Sequence, residues 1–202
     1  MRSLIIATRN RHKTRELAAM LGREWMVEDL TGRDEIPEPE ENGMTFEENA
    51  RIKAEAVSRV APGLVLADDS GLEVDLLEGA PGIRSARYAG EKATDEENRD
   101  RLLSELAQVE HAAEEPVTAR FRCAVALAEG GVILETFCGS VEGRIALAET
   151  GTGGFGYDAL FIPDGYSQTF AELEPEMKNR LSHRARAMKQ VMDWFQRGAG
   201  GD

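Results

Sequence analysis

The sequence lacks the features of a secreted, membrane-spanning or metal-thiolate protein. It has only two cysteines, Cys123 and Cys138, and their separation is not that of metal ligands. A single disulfide stays open, but reduced core thiols in a cytosolic protein are the favoured interpretation. No apolar run approaches the roughly 20 residues of a membrane span, and the first apolar run is too short for a signal peptide. These absences predict a cytoplasmic location and no membrane partner.

Basic residues are also scarce. Lys and Arg total 24 against 37 Asp and Glu, which gives a formal net charge of −13. Such a charge repels polyanions, so the protein is expected to be a poor general binder of nucleic acid polymers or anionic membranes. A small anion can still bind through a local cluster of basic side chains and backbone N–H groups, or through a bridging metal. The length of 202 residues and the 42% hydrophobic content fit one α/β domain, compact or two-lobed.

Hydrophobic patterning predicts that the chain opens as β-α-β. Residues 3–8 form the unbroken apolar run typical of a strand buried on both faces. An amphipathic helix follows and is closed by Gly22, and residues 25–30 have the pattern of a second strand. A helix between two strands favours a parallel pair within an α/β sheet.

Capping signals predict the next helices. Thr45 and Thr94 are each followed three residues later by Glu, the pattern of a capping box in which the two side chains bond reciprocally. Between these helices, residues 64–67 are predicted to form a buried strand that ends at Asp68-Asp69-Ser70-Gly71. The Gly-rich stretch 79–90 is expected to be irregular.

The second half of the chain is predicted to form a hairpin, followed by a loop and a helix. Strand-like runs at 117–128 and 132–141 flank Gly130-Gly131, which is a hairpin signal. Ser182 is predicted to cap the last helix, and residues 198–202 are expected to be a frayed tail.

One candidate site lies where the first buried strand meets its helix. Backbone N–H groups, the positive end of the helix dipole and a lysine ammonium surround one point there, which suits a phosphate. An ordinary βα turn with a solvated basic face is the alternative. The segment is not a P-loop, because its glycines and the Gly-Lys-Ser/Thr ending are missing. The candidate residues are Thr8, Arg9, Asn10, Arg11, His12 and Lys13.

A second candidate site is the pair Asp68-Asp69 beyond the buried strand at 64–67. Adjacent carboxylates repel unless a cation or a proton neutralises them, and Mg²⁺ commonly takes one or two carboxylates with water and phosphate oxygens. One carboxylate can then hold metal while its neighbour activates water. An exposed acidic turn is the alternative for this pair. Glu41, in an acidic loop, would by itself be a solvated charge.

Two further segments could form a base pocket. In the loop 151–158, glycines allow close backbone approach, and Phe155 and Tyr157 offer a flat face for a base; a ligand-free Gly-rich loop is the alternative. The second segment runs from Lys178 to Arg184 at the start of a helix. Its His183 and Arg184 side chains can donate hydrogen bonds to a carbonyl oxygen on a base. A surface cap is the alternative there, and a solvated lysine is the alternative for Lys53.

Taken in order, these segments resemble the inosine/xanthosine triphosphate pyrophosphatase family, which includes the bacterial dITP/XTP pyrophosphatases. Each motif is weak alone, but together they cover nearly the whole chain and make coincidence very improbable. The motifs that carry the resemblance are Thr8-x-Asn10-x-x-Lys13, Glu41-x-Gly43-x-Thr45-Phe46-x-x-Asn49-Ala50, Ala67-Asp68-Asp69-Ser70-Gly71-Leu72, Ala80-Pro81-Gly82-Ile83-x-Ser85-Ala86-Arg87-Tyr88, Gly153-Gly154-Phe155-Gly156-Tyr157-Asp158 and Ser182-His183-Arg184.

The resemblance implies an α/β fold and a reaction. A long mixed β-sheet flanked by helices would form a single two-lobed domain over residues 1–202, with the nucleotide in the cleft between the lobes. The protein would be a homodimer. It would hydrolyse non-standard purine nucleoside triphosphates such as ITP, dITP and XTP between the α- and β-phosphates, with Mg²⁺, giving the nucleoside monophosphate and pyrophosphate.

The resemblance also implies roles for individual residues. Asp69 falls on the family's proton acceptor and is counted with Glu41 and Asp68 at the Mg²⁺ site. Residues 8–13, Lys53 and Ser70 would contact the substrate. The base pocket or its wall would be formed by Phe155, Gly156, Tyr157, Asp158, Lys178, His183 and Arg184.

Two other functions compete with this prediction. A Maf-like nucleotide pyrophosphatase would share the general architecture and prefer other bases, and the His183-Arg184 pair argues against it. A nucleotide-binding regulatory module without turnover is the second. The acidic set Glu41, Asp68 and Asp69 argues against that, because pure binding needs no water-activating carboxylate.

Overall fold

The computed structural model describes residues 2–36, 39–109 and 116–198. Within them, the helices and strands in chain order are β1 Arg2–Ile6, α1 Arg11–Leu21, β2 Trp25–Asp29, α2 Phe46–Ser58, β3 Leu64–Val74, α3 Asp95–Leu106, β4 Val117–Glu129, β5 Val132–Ile145, β6 Phe161–Pro163, α4 Pro175–Leu181 and α5 His183–Gly198. The expected irregular stretch 79–90 contains one short 3₁₀ turn, Gly82–Arg87. Of the predicted tail, Gly198 ends α5, and the rest lies outside the described residues.

The strands form a mixed sheet with the order β2-β1-β3-β4-β5-β6. β1 pairs in parallel with β2 and with β3, as the β-α-β opening predicts, whereas β5 and β6 pair antiparallel. Gly130 and Gly131 join β4 to β5 with φ angles of 57° and 82°, which only glycine adopts at low cost. The predicted α/β fold with a mixed sheet and flanking helices is confirmed. Among the described residues, no helix is long and apolar enough to cross a membrane.

Side-chain caps fix where the helices begin. Asn10 caps α1 by accepting from the N–H groups of His12 and Lys13, and Thr94 and Glu97 form the complete capping box predicted for α3. The predicted box at α2 is only half formed. Thr45 accepts from the Glu48 N–H, but the Glu48 carboxylate accepts from the Met44 N–H at 2.7 Å instead of reaching back to Thr45.

The end of one predicted strand is wrong, and one helix was not predicted. The strand predicted at residues 64–67 does not end there, because β3 continues through residues 68–71 to Val74. The second error is α4, which was not predicted because Lys178 is its only buried residue and no apolar periodicity marks it. The available signal was Pro175 at the first helical position.

The described chain divides into two compact units. The first comprises residues up to 69, 123–139 and those from 183 onward, and the second comprises 70–122 and 140–182. In the first, α1 and α5 pack on one face of the sheet, and Leu4 and Leu66 belong to the same core as Leu17 and Val191. The side-chain repeat of a helix and that of a strand each place these apolar residues on the face that points into the core.

The second unit has its own core, centred on aromatic side chains. The rings of Phe121 and Phe161 meet edge to face with centroids 4.8 Å apart, and Phe170 lies 5.1 Å from Phe161. Leu102 and Leu106 of α3 belong to the same cluster. Each unit therefore has its own apolar core.

The two cysteines differ in environment. Both are free thiols, but only Cys123 is buried, so the expectation that both are core thiols is wrong for Cys138. Burial raises the pKa of Cys123 to about 12, which makes its thiol unreactive at neutral pH.

Candidate functional site

The alternation of side chains along β3 separates the two consecutive aspartates. Leu66 and Asp68 are two residues apart, so they share one face of the strand, and Leu66 packs in the core that α1 and α5 cover. Asp69 projects from the opposite face, where its partners, Asn49 and Lys53, come from α2. The ion pairs of the two adjacent carboxylates thus differ: Asp68 pairs with Lys13 and Arg184, and Asp69 pairs with Lys53, and these residues belong to the first unit.

Asp68 is a buried carboxylate surrounded by cations. The Lys13 Nζ lies 3.1 Å from its Oδ1, and the Arg184 Nη2 and Nε lie 3.0 and 3.3 Å from its Oδ2. Burial by itself would raise the pKa of Asp68, but the charges of Lys13, Arg184 and Lys53 hold that pKa far below its ordinary value. Asp68 is therefore ionised at neutral pH.

Arg184 lies between two carboxylates instead of standing at a surface cap. Its side chain is 1% exposed, and besides Asp68 it donates through Nη1 to Glu16 of α1. Although burial lowers the pKa of a guanidinium, Asp68 and Glu16 raise the pKa of Arg184 above its usual value. Glu16 was not among the predicted site residues; its position one turn after Lys13 on α1 was the available signal.

Asp69 belongs to a second ionic group on the α2 side of β3. The Lys53 Nζ lies 2.9 Å from Asp69 Oδ1 and also 2.9 Å from Glu41 Oε1, so one ammonium is shared by two carboxylates. Asn49 Nδ2 donates to the other oxygen, Oδ2, at 3.3 Å. Burial raises the pKa of Asp69 above its ordinary value although Lys53 and Lys13 oppose that rise, and the nearby charge of Glu41 adds to it.

The candidate metal ligands are only partly brought together. Asp69 and Glu41 meet at Lys53, whereas the contacts of Asp68 are on the other face of β3. Across residues 2–36, 39–109 and 116–198, no group of three or more His, Cys, Asp or Glu side chains is placed to hold a metal ion. Mg²⁺ commonly needs only one or two protein carboxylates, with water and phosphate oxygens completing its shell. Asp69 and Glu41 fit that requirement as a pair.

The predicted phosphate-binding turn is held by its own side chains. Asn10 Oδ1 accepts from the N–H groups of His12 and Lys13 at 2.9 and 3.4 Å, and Thr8 Oγ1 accepts from the Asn10 N–H at 3.1 Å. Arg9 donates to the Ile36 carbonyl at 2.6 Å. The side chains of Arg11 and His12 are exposed. A phosphate at this turn would meet N–H groups that the Asn10 cap already satisfies, so Lys13 is the residue best placed for it.

In the second unit, Asp158 organises the Gly-rich loop. Its Oδ2 accepts from the Phe155 N–H at 2.8 Å and from the Lys178 Nζ at 2.5 Å, and both charged side chains are buried. The Lys178 ammonium also lies 4.8 Å from the centre of the Phe155 ring. At Gly154 a Cβ would stand 2.0 Å from the same carboxylate oxygen, so only glycine fits there.

The rest of this loop is fixed by α3 and by the second core. Asp95 accepts from the Gly156 N–H at 2.6 Å, and Arg99 donates to the Gly156 carbonyl at 2.9 Å. Tyr157 is 3% exposed and donates from its hydroxyl to the Ser85 carbonyl at 3.0 Å. The expectation that Tyr157 offers a flat face to a base is therefore wrong, since its ring belongs to the core; Phe155 is half-buried.

Two predicted residues stand near the boundaries between the units along the chain. Ser70 follows Asp69 in β3 and is half-buried. His183 is the first residue of α5 and is buried.

The sequence model of one family, the Ham1 family, matches residues 4–194. The chain belongs to the Ham1 family. That match includes every candidate residue from Thr8 to Arg184.

Individual Ham1 relatives match over nearly their full lengths. The chain is 50% identical over 192 residues to the dITP/XTP pyrophosphatase of Bacillus licheniformis, covering 95% of this chain and 96% of that protein. It is 47% identical to the dITP/XTP pyrophosphatase of Bacillus subtilis, again with 95% and 96% coverage. A Ham1 protein from Coxiella burnetii superposes with a TM-score of 0.85 at 37% identity, covering 98% of this chain and all of that one. The Staphylococcus aureus Ham1 protein gives 0.83 at 35% identity, with 96% and 98% coverage.

Proposed function

We propose that the protein hydrolyses the triphosphates of non-standard purines, ITP, dITP and XTP, to the nucleoside monophosphate and pyrophosphate. The observation that carries this proposal is the pair Asp68 and Asp69, two consecutive buried carboxylates that are each paired with a lysine. Their pKa values are displaced in opposite directions, which is how two carboxylates take different roles in one reaction. The names of relatives about half identical over nearly the full chain support the substrate class.

Asp69 would act as the proton acceptor. Its raised pKa makes it a stronger base than an ordinary carboxylate. Lys53 and Asn49 each hold one of its oxygens, which limits the directions in which it can accept a proton. Asp69 would take the proton of a water molecule that attacks phosphorus in line with the leaving pyrophosphate.

Lys13 would hold the triphosphate. Its ammonium is partly exposed and pairs with Asp68, so it can shift toward a phosphate oxygen while Asp68 limits how far it moves. A local cation is needed because the chain as a whole carries a net charge of −13 and repels a triphosphate. Asp68, ionised at neutral pH, keeps Lys13 and Arg184 in place and leaves the proton transfer to Asp69.

Asp69 and Glu41 are the side chains that would hold Mg²⁺. When bound, the ion supplies charge neutralisation for the phosphate oxygens and for the leaving pyrophosphate. Lys53, whose ammonium is shared by both carboxylates in the structure, is also proposed to contact the substrate.

Two groups of residues, each within a single unit, are proposed as candidates for base recognition. In the second, the half-buried ring of Phe155, fixed by Asp158 and Lys178, supports stacking with a purine. In the first, His183 and Arg184 are proposed to donate to the 6-oxo group that hypoxanthine and xanthine share. Arg184 already donates to Asp68 and Glu16, so His183 is the stronger of the two candidates.

Assembly and location belong to the same proposal. We propose a homodimer in the cytoplasm, with small nucleotides as partners and without membrane or nucleic acid polymers. The net charge of −13 supports the exclusion of polyanionic partners. Sedimentation analysis would measure the oligomeric state directly, and a monomer at micromolar concentration would contradict the dimer.

One assay tests the reaction. Purified protein with Mg²⁺ is incubated with ITP, XTP, dITP, ATP, GTP and pyrimidine triphosphates, and monophosphate, diphosphate, phosphate and pyrophosphate are quantified. We expect ITP to give IMP and pyrophosphate in one step. Accumulation of the diphosphate with free phosphate would show γ-phosphate cleavage, and full activity in excess chelator would remove the metal from the proposal.

The same panel separates the two competing functions. A Maf-like enzyme would release pyrophosphate from other bases in preference to inosine and xanthosine triphosphates. A regulatory module would bind a nucleotide, measured by calorimetry, without turning it over.

A further inference from the structure

Asn49 is a fully buried polar residue, 0% exposed, whose amide joins two parts of the candidate site. It is the fourth residue of α2. Its Nδ2 donates to Asp69 Oδ2 at 3.3 Å, and its Oδ1 accepts from the Gly43 N–H at 2.9 Å. The amide is therefore bonded on one side to the candidate proton acceptor and on the other to the backbone of the loop that carries Glu41.

That loop is fastened to the start of α2 at two consecutive residues. Besides the Gly43 bond to Asn49, the Met44 N–H donates to the Glu48 carboxylate at 2.7 Å. The fit at Gly43 is tight, because a Cβ there would stand 2.7 Å from Asn49 Oδ1. Glu41, two residues before this fastened point, has its carboxylate 2.9 Å from the Lys53 Nζ.

Asn49 and Lys53 are four residues apart on α2 and so lie on the same side of the helix. Together they contact both oxygens of Asp69, with Lys53 on Oδ1 and Asn49 on Oδ2. Lys53 is also bonded to Glu41. One side of α2 thus sets both carboxylates that we propose for metal binding and water activation.

The chemistry of the amide explains why asparagine stands here. A primary amide donates and accepts at the same time, which a carboxylate or an apolar side chain of similar size does not do. A side chain needed only to fasten the loop would require the acceptor alone. The second bond, to Asp69, is the one that a purely structural role leaves unexplained.

We propose that Asn49 is a positioning residue for the reaction, which orients the Asp69 carboxylate and through Gly43 fixes the Glu41 loop beside it. This inference rests on the proposed function, since it assigns Asn49 to the reaction that Asp69 carries. Asn49 acts through Asp69 and Glu41 and does not itself take part in bond making.

The amide can be dissected with two substitutions. Asn49→Asp keeps the shape and the acceptor for the Gly43 N–H, but it turns the donor facing Asp69 into a carboxylate oxygen, whereas Asn49→Ala removes both bonds. Ser58→Ala is the matched control. Ser58 is also buried on α2 and also accepts from a glycine N–H, that of Gly131 at 3.0 Å, but it lies about 13 Å further along the helix.

Steady-state kinetics on ITP give the first readout. We expect Asn49→Asp to lower kcat by at least about 10-fold, because a displaced catalytic group loses rate steeply, while KM changes less than about 3-fold. Asn49→Ala should lose at least as much, and Ser58→Ala should keep wild-type kcat. A kcat within about twofold of wild type for Asn49→Asp would overturn the proposal.

Amide hydrogen exchange at Gly43 gives a second readout that does not depend on turnover. Protection of this N–H should be lost in Asn49→Ala and retained in Asn49→Asp, because only the latter keeps an acceptor. Retained protection together with lost kcat assigns the loss to the contact with Asp69. Lost protection in both variants, or retained protection in both, would contradict the bridging role.

The wild-type protein separates failure of this inference from failure of the proposed function. If wild type releases no pyrophosphate from any triphosphate in the panel, the proposed function is wrong and the role of Asn49 in it is wrong as well. If wild type is active and Asn49→Asp is equally active, the function stands and the positioning role alone is overturned.

Discussion

Asp68 and Asp69 are neighbours in sequence but project from opposite faces of β3 and have different partners. Asp68 pairs with Lys13 and Arg184, on the side that α1 and α5 cover, whereas Asp69 pairs with Lys53 and Asn49 of α2. The first environment lowers the pKa of its carboxyl and the second raises it. One strand therefore holds a carboxylate that is ionised at neutral pH beside a stronger base.

The substitution Asp69→Asn tests the base directly. It keeps the shape but removes the charge that accepts a proton, and general base catalysis is worth about 10²–10⁴-fold. We expect kcat on ITP to fall by at least about 10²-fold while nucleotide binding survives, since Lys53 keeps its second partner, Glu41. Single-turnover kinetics and calorimetry measure the two effects separately. Turnover near that of wild type would rule out Asp69 as the base.

The substitution Asp68→Asn should act on stability. It leaves Arg184 buried with one carboxylate fewer, and breaking a buried ion pair typically costs about 3–5 kcal/mol. Denaturant unfolding at pH 7 measures the change. Asp75→Asn is the control, because Asp75 pairs with Arg120 at an exposed position where about 0–1 kcal/mol is expected. Equal losses in both variants would contradict the importance of the buried pair.

The same variant has a defined pH dependence. The pKa of Asp68 is lower in the folded chain than the value of about 3.9 in the unfolded chain. Its contribution to the free energy of unfolding is therefore complete above about pH 5 and is lost as the pH falls through 4 toward the folded value. We expect wild type and Asp68→Asn to converge in stability as the pH falls below about 4. A difference that stays constant from pH 7 to pH 3 would show that the ionised carboxylate is not its source.

A substitution of Arg184 tests whether this residue recognises the purine base or only pairs with Asp68 and Glu16. The sequence predicts that Arg184→Ala lowers kcat/KM for ITP far more than for ATP, because a hydrogen-bond donor to the 6-oxo group would be lost. The contacts of Arg184 with Asp68 and Glu16 favour a different result, in which kcat/KM falls by a similar factor for both nucleotides. Competition assays of the two substrates measure this ratio. A loss on ITP at least about 10-fold larger than on ATP would restore the base-reading role.

Asp95 should control the order of the Gly-rich loop. Asp95→Ala removes the acceptor of the Gly156 N–H, so we expect the Gly156 amide to lose protection from hydrogen exchange. The cost in stability should be about 0.5–1.5 kcal/mol, that of one hydrogen bond. Glu96→Ala, also exposed in the first turn of α3, is the control and should leave Gly156 protected. Unchanged protection of Gly156 in Asp95→Ala would contradict this role of Asp95.

Local physics was enough to predict much of the chain from the sequence. The apolar run of β1 and the Gly22 cap gave the β-α-β opening, the Thr94-Glu97 capping box gave the start of α3, and Gly130-Gly131 gave the hairpin of β4 and β5. Each of these signals acts between residues a few positions apart, so it can be recognised in the sequence without knowledge of the tertiary structure. The α/β class and the candidate residues followed from the same segments taken in order.

Only the tertiary structure decided what the candidate residues touch. Asp68 and Arg184 are 116 positions apart, and no local rule pairs them. Asp68 and Asp69 are separated because β3 continues past residue 67, and their cationic partners are supplied by α1, α2 and α5. The burial of Tyr157 and the bridge from Asn49 to Asp69 likewise depend on packing between distant segments. The sequence determined which groups are candidates for the chemistry, and the long-range packing determined their charge states and their partners, because burial and neighbouring charges exist only in the folded chain.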